Sequence, residues 1–169
     1  MNGLKEQLER SVGDRFIEWL NAERRSFYSF SHRADPGPDL VYAWEGRKLN
    51  LEVTGAYYDS DHAKFLWESA RGIEDAPTDW IGTEPDASLA ASVITCIEEK
   101  SKKRYGKRTL LLINTPPGVT SAEELEAQLQ ARNIRDNFFE GIYVVGRFPI
   151  TMHSSGGYRV LSLKAFPCE

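Results

Sequence analysis

The apolar positions at the start of the chain repeat with the period of an α-helix. Every fourth position is apolar over the first 20 residues, and two neighbouring apolar residues widen the stripe. Such a repeat places the apolar side chains on one face of a helix. The pattern therefore predicts an amphipathic helix of about 20 residues, with an apolar stripe of Leu4, Leu8, Val12, Phe16 and Leu20.

Three extended segments follow this helix. Residues 26–31 alternate aromatic and polar side chains, residues 39–44 are rich in strand formers, and residues 49–58 alternate again. Turn-forming residues separate the three segments. We therefore predict an antiparallel meander whose third strand turns Leu49, Leu51 and Val53 to one face and Asn50, Glu52 and Thr54 to the other.

The second half of the chain alternates helical and strand patterns. Helices are predicted over 59–72, 88–105 and 121–132, strands over 109–114, 141–148 and 157–163, and an acidic loop over 73–87. This alternation favours strands added in parallel through right-handed crossovers. The expected fold class is α/β, with a mixed central sheet inside a three-layer α/β/α domain.

Composition limits the class of protein. A chain of 169 residues favours one domain with a single core, so we expect one domain over residues 1–169. Two cysteines are too few for a disulfide framework or a zinc site. The N-terminal segment lacks the apolar stretch of a signal peptide, and no apolar run approaches the length of a membrane span. We expect a soluble, cytoplasmic protein without a membrane partner.

Charge is unevenly distributed along the chain. The net charge of −4 and the pI near 5.5 argue against a protein that coats DNA. The segment Lys100–Arg108, however, holds six Lys or Arg in nine positions. This run is either a solvated helix end or a nucleic-acid contact, and the sequence leaves both open.

Two carboxylates occupy the predicted hairpin. Asp39 starts its first strand and Glu52 lies inside its second, so both side chains can face one side of the sheet. Two converging carboxylates repel each other unless one is protonated or a divalent cation lies between them. Oxygen ligands of this kind suit Mg²⁺ or Mn²⁺, and such a cation can activate water for phosphodiester hydrolysis. Taken singly, Asp39 is a common turn former and Glu52 a common solvated side chain.

The spacing of these residues resembles a nuclease signature. Pro38-Asp39, then twelve residues, then Glu52-Val53-Thr54 is similar to the motif of the PD-(D/E)XK nuclease superfamily. The resemblance implies a restriction-endonuclease-like core, with Asp39 and Glu52 as metal ligands and the Val53 carbonyl as a third. It also implies Mg²⁺-dependent hydrolysis of DNA. Cutting both strands of a duplex would favour a homodimer.

The resemblance extends over about two-thirds of the chain. The superfamily core of helix, three-strand meander, helix and strand matches the predicted order between Leu4 and Asn114. The segment "LERSVGDRF" is similar to the first helix of archaeal Holliday-junction resolvases. A glutamate of that helix joins the metal site in the resolvases, which implies a catalytic role for Glu9.

The chain departs from the motif at its last position. Thr54 stands where the superfamily usually has a lysine that orients the attacking water. In some members the following helix supplies this lysine. Here the apolar stripe of that helix continues into Lys100, which can reach across the sheet toward Glu52. Lys48 shares the polar face of the Glu52 strand and is the other candidate.

A literal search for the motif finds a second match. Pro85-Asp86, then eleven residues, then Glu98-Glu99-Lys100 includes the lysine. The match lies within a helical pattern, where a rigid rod keeps the two acidic positions apart. We therefore reject it.

Two alternatives to a nuclease remain. Thr54 favours a catalytically inactive member of the same fold that binds nucleic acid or another protein. The other alternative is an unrelated α/β domain that binds a small molecule, with the 73–87 loop as a lid.

Overall fold

The fold consists of a mixed β-sheet and helices packed on both of its faces. A computed structural model describes residues 2–58, 84–134, 138–153 and 155–167. The helices in these ranges are α1 (Asn2–Arg24), α2 (Pro85–Ser101) and α3 (Ala122–Gln130). The strands are β1 (Ser29–His32), β2 (Leu40–Trp44), β3 (Arg47–Gly55), β4 (Thr109–Thr115), β5 (Gly141–Phe148) and β6 (Gly157–Lys164). The predicted α/β class with a mixed sheet is confirmed.

Within the described ranges the sheet has six strands, and their spatial order follows the chain order. Strands β1, β2 and β3 form the predicted antiparallel meander. Strand β4 lies parallel to β3, and β5 lies parallel to β4, while β6 returns antiparallel to β5. The parallel steps pass through α2 and α3. The sheet therefore changes from antiparallel to parallel neighbours at β3, which carries the Glu52 side chain.

Two apolar cores lie on opposite faces of the sheet. Helix α1 covers one face, where Phe16 and Leu20 pack with Leu49, Leu51 and Val53 of β3. Helices α2 and α3 cover the other face, over the buried alternate residues of β4 and β5. The layers are therefore helix, sheet and helix, and β3 turns its apolar residues to the α1 face as its alternation predicts.

The predicted amphipathic helix is confirmed as α1, but its apolar stripe is buried only from the third position onward. Leu4 and Leu8 each keep 42% of their surface exposed, and burial begins with Glu9 and Val12. The helix runs from Asn2 to Arg24, so the sequence repeat is longer than the buried face. Periodicity reports which side of a helix is apolar, but the extent of the sheet beneath it decides how much of that side is covered.

Several element boundaries differ from the predictions. The first strand begins at Ser29 and not at residue 26, and Asp39 lies one residue before β2 and does not start it. Helix α2 begins at Pro85 and ends at Ser101, before the predicted end at residue 105. Proline suits the first helical turn because its missing N–H has no helical acceptor there. The last residues of the predicted 73–87 loop are therefore helical.

The remaining helix, α3, agrees with its sequence pattern. Ser121 caps it, and the side chains of Ser121 and Glu124 form the predicted reciprocal capping box. The predicted helix over 59–72 and most of the predicted loop after it lie outside the described residues. In the ranges that are described, no helix is both long and apolar enough to cross a membrane.

Candidate functional site

The end of the hairpin brings Asp39 and Glu52 close together. Leu40 pairs with Leu51 at the end of the β2–β3 ladder, and both side chains face α1. Successive residues of a strand point to opposite faces, so Glu52 points toward α2. Asp39 precedes β2 and lies near enough for the Glu52 charge to raise the pKa of its carboxyl. Asp39 Oδ2 also accepts a hydrogen bond of 2.8 Å from the Val53 N–H.

Glu52 is buried and bound by two donors from one neighbouring segment. Only 4% of its surface is exposed. Its Oε1 accepts hydrogen bonds from Lys100 Nζ at 2.5 Å and from the Tyr105 hydroxyl at 2.9 Å. The two donors compensate the desolvation of this buried carboxylate.

Lys100 reaches Glu52 from the C-terminal turn of α2. The buried stripe of this helix is Leu89, Val93 and Ile97, and Lys100 continues it with 23% of its side chain exposed. Helix periodicity predicts this direction, because residues three or four apart share a face. The alternative lysine, Lys48, is exposed near the start of β3, four residues or about 13 Å along the strand from Glu52. A catalytic role for Lys100 stays a prediction.

Asp39 is held in a position where its charge is unfavourable. Burial raises the pKa of the Asp39 carboxyl, and the nearby charges of Glu52 and Glu9 raise it further. The Val53 N–H and the Lys100 ammonium act in the opposite direction. The net effect is a raised pKa, so ionised Asp39 calls for an additional positive partner.

Tyr105 is a site residue that the sequence analysis missed. Its hydroxyl donates to Glu52, and its ring packs against Phe138 and Phe139 with centroid distances of 6.0 and 5.5 Å. Burial and the hydrogen bond to Glu52 raise the pKa of the Tyr105 hydroxyl, which keeps it protonated as a donor. Tyr105 follows the end of α2, where no helical period indicates direction, so only its place in the basic run pointed to it.

Glu9 lies buried on α1 with cations at both oxygens. Its Oε2 accepts a hydrogen bond of 2.6 Å from Arg33 Nη2, and its Oε1 lies 3.4 Å from Lys5 Nζ. The hydrogen bond to Glu9 raises the pKa of the Arg33 guanidinium. Glu9 is near enough to Asp39 to raise the pKa of that carboxyl. Its proposed role as a metal ligand stays a prediction, and Arg33 is a neighbour that the sequence did not indicate.

Thr54 and Lys100 line one small cleft at the end of β3. The cleft has a volume of about 140 Å³, and Lys5, Glu9 and Asn114 also border it. Thr54 also lies beside Cys96, whose thiol donates to the Gly55 carbonyl at 3.4 Å. Burial raises the pKa of the Cys96 thiol. The position of the missing motif lysine and the ammonium of Lys100 therefore open onto the same space.

The second motif match is excluded by its secondary structure. Asp86 and Glu98 both belong to α2. Twelve residues along an α-helix span about 18 Å. The two carboxylates cannot share one metal ion at usual ligand distances.

The ligand set that the motif implies combines two carboxylates with one main-chain carbonyl. N–H and C=O of one strand residue point to the same side of the strand. The Val53 N–H binds Asp39, so the Val53 carbonyl also points toward the Asp39 side, beyond the end of the β2–β3 ladder. Across the described ranges, no group of three or more His, Cys, Asp or Glu side chains is arranged to hold a metal ion.

Comparison of the chain with protein-family models, with curated proteins and with solved structures finds no match. The residues of the site and their geometry are therefore the basis for a functional assignment.

Proposed function

We propose that the protein is a Mg²⁺-dependent nuclease of the PD-(D/E)XK superfamily that hydrolyses phosphodiester bonds of DNA. The observation that carries this proposal is the contact of 2.5 Å between Lys100 Nζ and Glu52 Oε1. It supplies, from a neighbouring helix, the charge that Thr54 cannot supply. The order of helix, three-strand meander, helix and parallel strand supports a restriction-endonuclease-like core.

Three features of the site fit a divalent cation. Asp39 and Glu52 lie near each other at the end of the β2–β3 ladder, and the Val53 carbonyl points to the same region. Both donors to Glu52 bind the same oxygen, Oε1, and among the described residues none donates to the other oxygen or to Asp39 Oδ1. The raised pKa of Asp39 indicates a carboxylate whose ionised form a cation would favour. Asp39, Glu52 and the Val53 carbonyl would hold Mg²⁺ or Mn²⁺.

The residues of the chain have distinct roles in the proposed reaction. When bound, the cation would act as a Lewis acid toward the phosphodiester. Lys100, at the cleft, would offset the negative charge that develops on the reacting phosphate. Tyr105 would keep Glu52 oriented by holding its Oε1. Thr54 would border the cleft without contributing charge.

Cleavage of DNA by purified protein tests the proposal. Supercoiled, linear and branched DNA would be incubated with Mg²⁺ or Mn²⁺, and with a chelator. We expect metal-dependent cleavage that Glu52→Gln and Asp39→Asn abolish. Glu99→Gln is the matched control, because Glu99 is an exposed carboxylate on α2 that pairs with Lys102. Absence of cleavage with every DNA form, together with unchanged metal binding in Glu52→Gln, would overturn the proposal.

A catalytically inactive protein of the same fold is the second candidate. The observation that favours it is the pairing of buried Glu52 and Glu9 with Lys100 and Arg33, which neutralises both carboxylates without a metal. This candidate predicts DNA or protein binding that survives both chelation and Glu52→Gln. A nuclease predicts that the same two treatments remove cleavage.

A further inference from the structure

Two basic stretches that are distant in sequence lie next to each other, the start of β3 and the segment after α2. The segment after α2 returns to the sheet along the start of this strand. Asn50 Nδ2 donates to the Lys107 carbonyl at 3.1 Å, and the Asn50 N–H donates to the Arg108 carbonyl at 2.9 Å. Arg108 Nε donates in turn to the Lys48 carbonyl at 2.9 Å. These bonds hold the basic run of residues 102–108 against the basic start of β3.

Four exposed cations define what we call the basic surface, namely Lys48, Lys103, Arg104 and Lys107. None of them forms an ion pair with another described residue. By contrast, the neighbouring Lys102 pairs with Glu99. The chain as a whole has a net charge of −4, so this concentration of positive charge is a local feature of an acidic protein.

The basic surface is connected to the candidate site by Tyr105. This residue lies between Arg104 and Lys107 in the chain and donates to Glu52. Lys48 precedes Glu52 by four residues on the same strand, which corresponds to about 13 Å. Along duplex DNA, where each strand advances about 3.4 Å per nucleotide, this distance spans about four nucleotides.

We propose that the basic surface binds the phosphate backbone of duplex DNA a few nucleotides from the bond that the Asp39–Glu52 site would cleave. This inference rests on the proposed function for its choice of DNA as the polyanion. The contacts would be to phosphates and not to bases, because exposed lysines offer charge without a fixed donor geometry. They would therefore position the duplex without selecting a sequence.

The test compares two double variants with the same change in charge. Lys48→Gln/Lys107→Gln removes one cation from each basic stretch, whereas Arg25→Gln/Arg147→Gln removes two exposed cations elsewhere. Binding to a fluorescein-labelled DNA duplex would be measured by anisotropy, with chelator, over a series of salt concentrations. We expect the first variant to bind about tenfold or more weakly and its log–log salt slope to fall by about 1 to 2. The control should keep the wild-type affinity and slope.

Separate outcomes distinguish this inference from the proposed nuclease activity. If Lys48→Gln/Lys107→Gln binds DNA with the same affinity and salt slope as the control variant, and Lys103→Gln/Arg104→Gln does too, the proposed DNA contact of the basic surface is wrong. This holds even if the wild type cleaves DNA. If the protein binds DNA through Lys48 and Lys107 but does not cleave it, the result would support DNA binding by the basic surface and overturn the proposed nuclease activity. Tighter binding of duplex RNA or heparin than of DNA would overturn the assignment of DNA. Thermal unfolding of every variant verifies that it is folded.

Discussion

The ammonium of Lys100 lies 2.5 Å from Glu52 Oε1, although 48 residues separate the two in the chain. Strand β3 presents the carboxylate and the end of α2 presents the ammonium. Thr54, two positions after Glu52, opens onto the same cleft as Lys100. The charge absent from the strand is therefore available from the helix that packs on it.

The first prediction moves the lysine back to the strand. Lys100→Met should reduce the rate of DNA cleavage by about 100-fold or more, because it removes a preorganised charge from the site. Adding Thr54→Lys to that variant should raise the cleavage rate again by at least about tenfold, since residues 54 and 100 line one cleft. Single-turnover cleavage under saturating metal measures both rates.

A matched control for this exchange is Lys102→Met, which removes an exposed lysine paired with Glu99. It should change the cleavage rate little, since Lys102 is exposed and does not border the cleft that Lys100 lines. Lys100→Met should also lower the free energy of unfolding by about 2 kcal/mol, because it removes a charge-assisted hydrogen bond from buried Glu52 and leaves the carboxylate with only the Tyr105 donor. Unchanged cleavage in a folded Lys100→Met protein would contradict the role of Lys100.

The second prediction concerns the pH dependence of stability. Asp39 has a raised pKa in the folded protein, compared with about 3.8 for a free aspartate. As pH rises from the unfolded pKa to the folded pKa, the unfolded chain ionises first, so the wild type loses stability relative to Asp39→Asn and above the folded pKa must hold a half-buried anion. The variant should therefore be the more stable protein at neutral pH. The difference should shrink as pH falls through the folded pKa and vanish below the unfolded one.

Urea unfolding without metal at several pH values measures this difference. The amide of Asp39→Asn keeps an oxygen that can accept the Val53 N–H, so the comparison isolates the charge. Asp35→Asn, at an exposed position of the same loop, is the control. Its stability relative to the wild type should not increase as pH rises. An Asp39→Asn protein less stable than wild type at neutral pH would show that the anion is already compensated.

The third prediction concerns the packing of α1 on β2. A Cβ added at Gly13 would overlap Leu40 Cδ1 and lie 2.8 Å from the Tyr42 hydroxyl oxygen. Alanine normally stabilises a helix by about 1 kcal/mol over glycine, but overpacking costs about 1–3 kcal/mol. Gly13→Ala should therefore lower the free energy of unfolding. Gly3→Ala, in the same helix with no atom within 4 Å of the added Cβ, should leave it unchanged or raise it.

The fourth prediction separates the two functions of Tyr105. Tyr105→Phe removes the hydrogen bond to Glu52 but keeps the ring that packs on Phe138 and Phe139. The lost hydrogen bond should reduce the free energy of unfolding by about 1 kcal/mol. Because Glu52 would be less well oriented, the metal concentration needed for half-maximal cleavage should rise. Tyr105→Leu should reduce stability further through lost packing. If cleavage by Tyr105→Phe and by the wild type depends equally on metal concentration, Tyr105 contributes packing and does not orient Glu52 for metal binding.

The sequence predicted one part of the candidate site more successfully than the rest. The direction of Lys100 followed from helix periodicity, and the proximity of Asp39 and Glu52 followed from the two strands joined by a short turn. Tyr105 and Arg33 could not be predicted in this way. Both lie outside regular elements, where no repeating period relates a residue to the side chain it will contact.

By itself, the sequence determined the class of each described element, the faces of β3 and the antiparallel pairing of β2 with β3. These properties depend on interactions between residues close together in the chain. Only the tertiary structure decided how much of α1 is buried, which cations cover Glu9, and that the two basic stretches meet beside Asn50. Those properties depend on where one element ends against another, which is set by packing across the whole sheet and not by any local pattern.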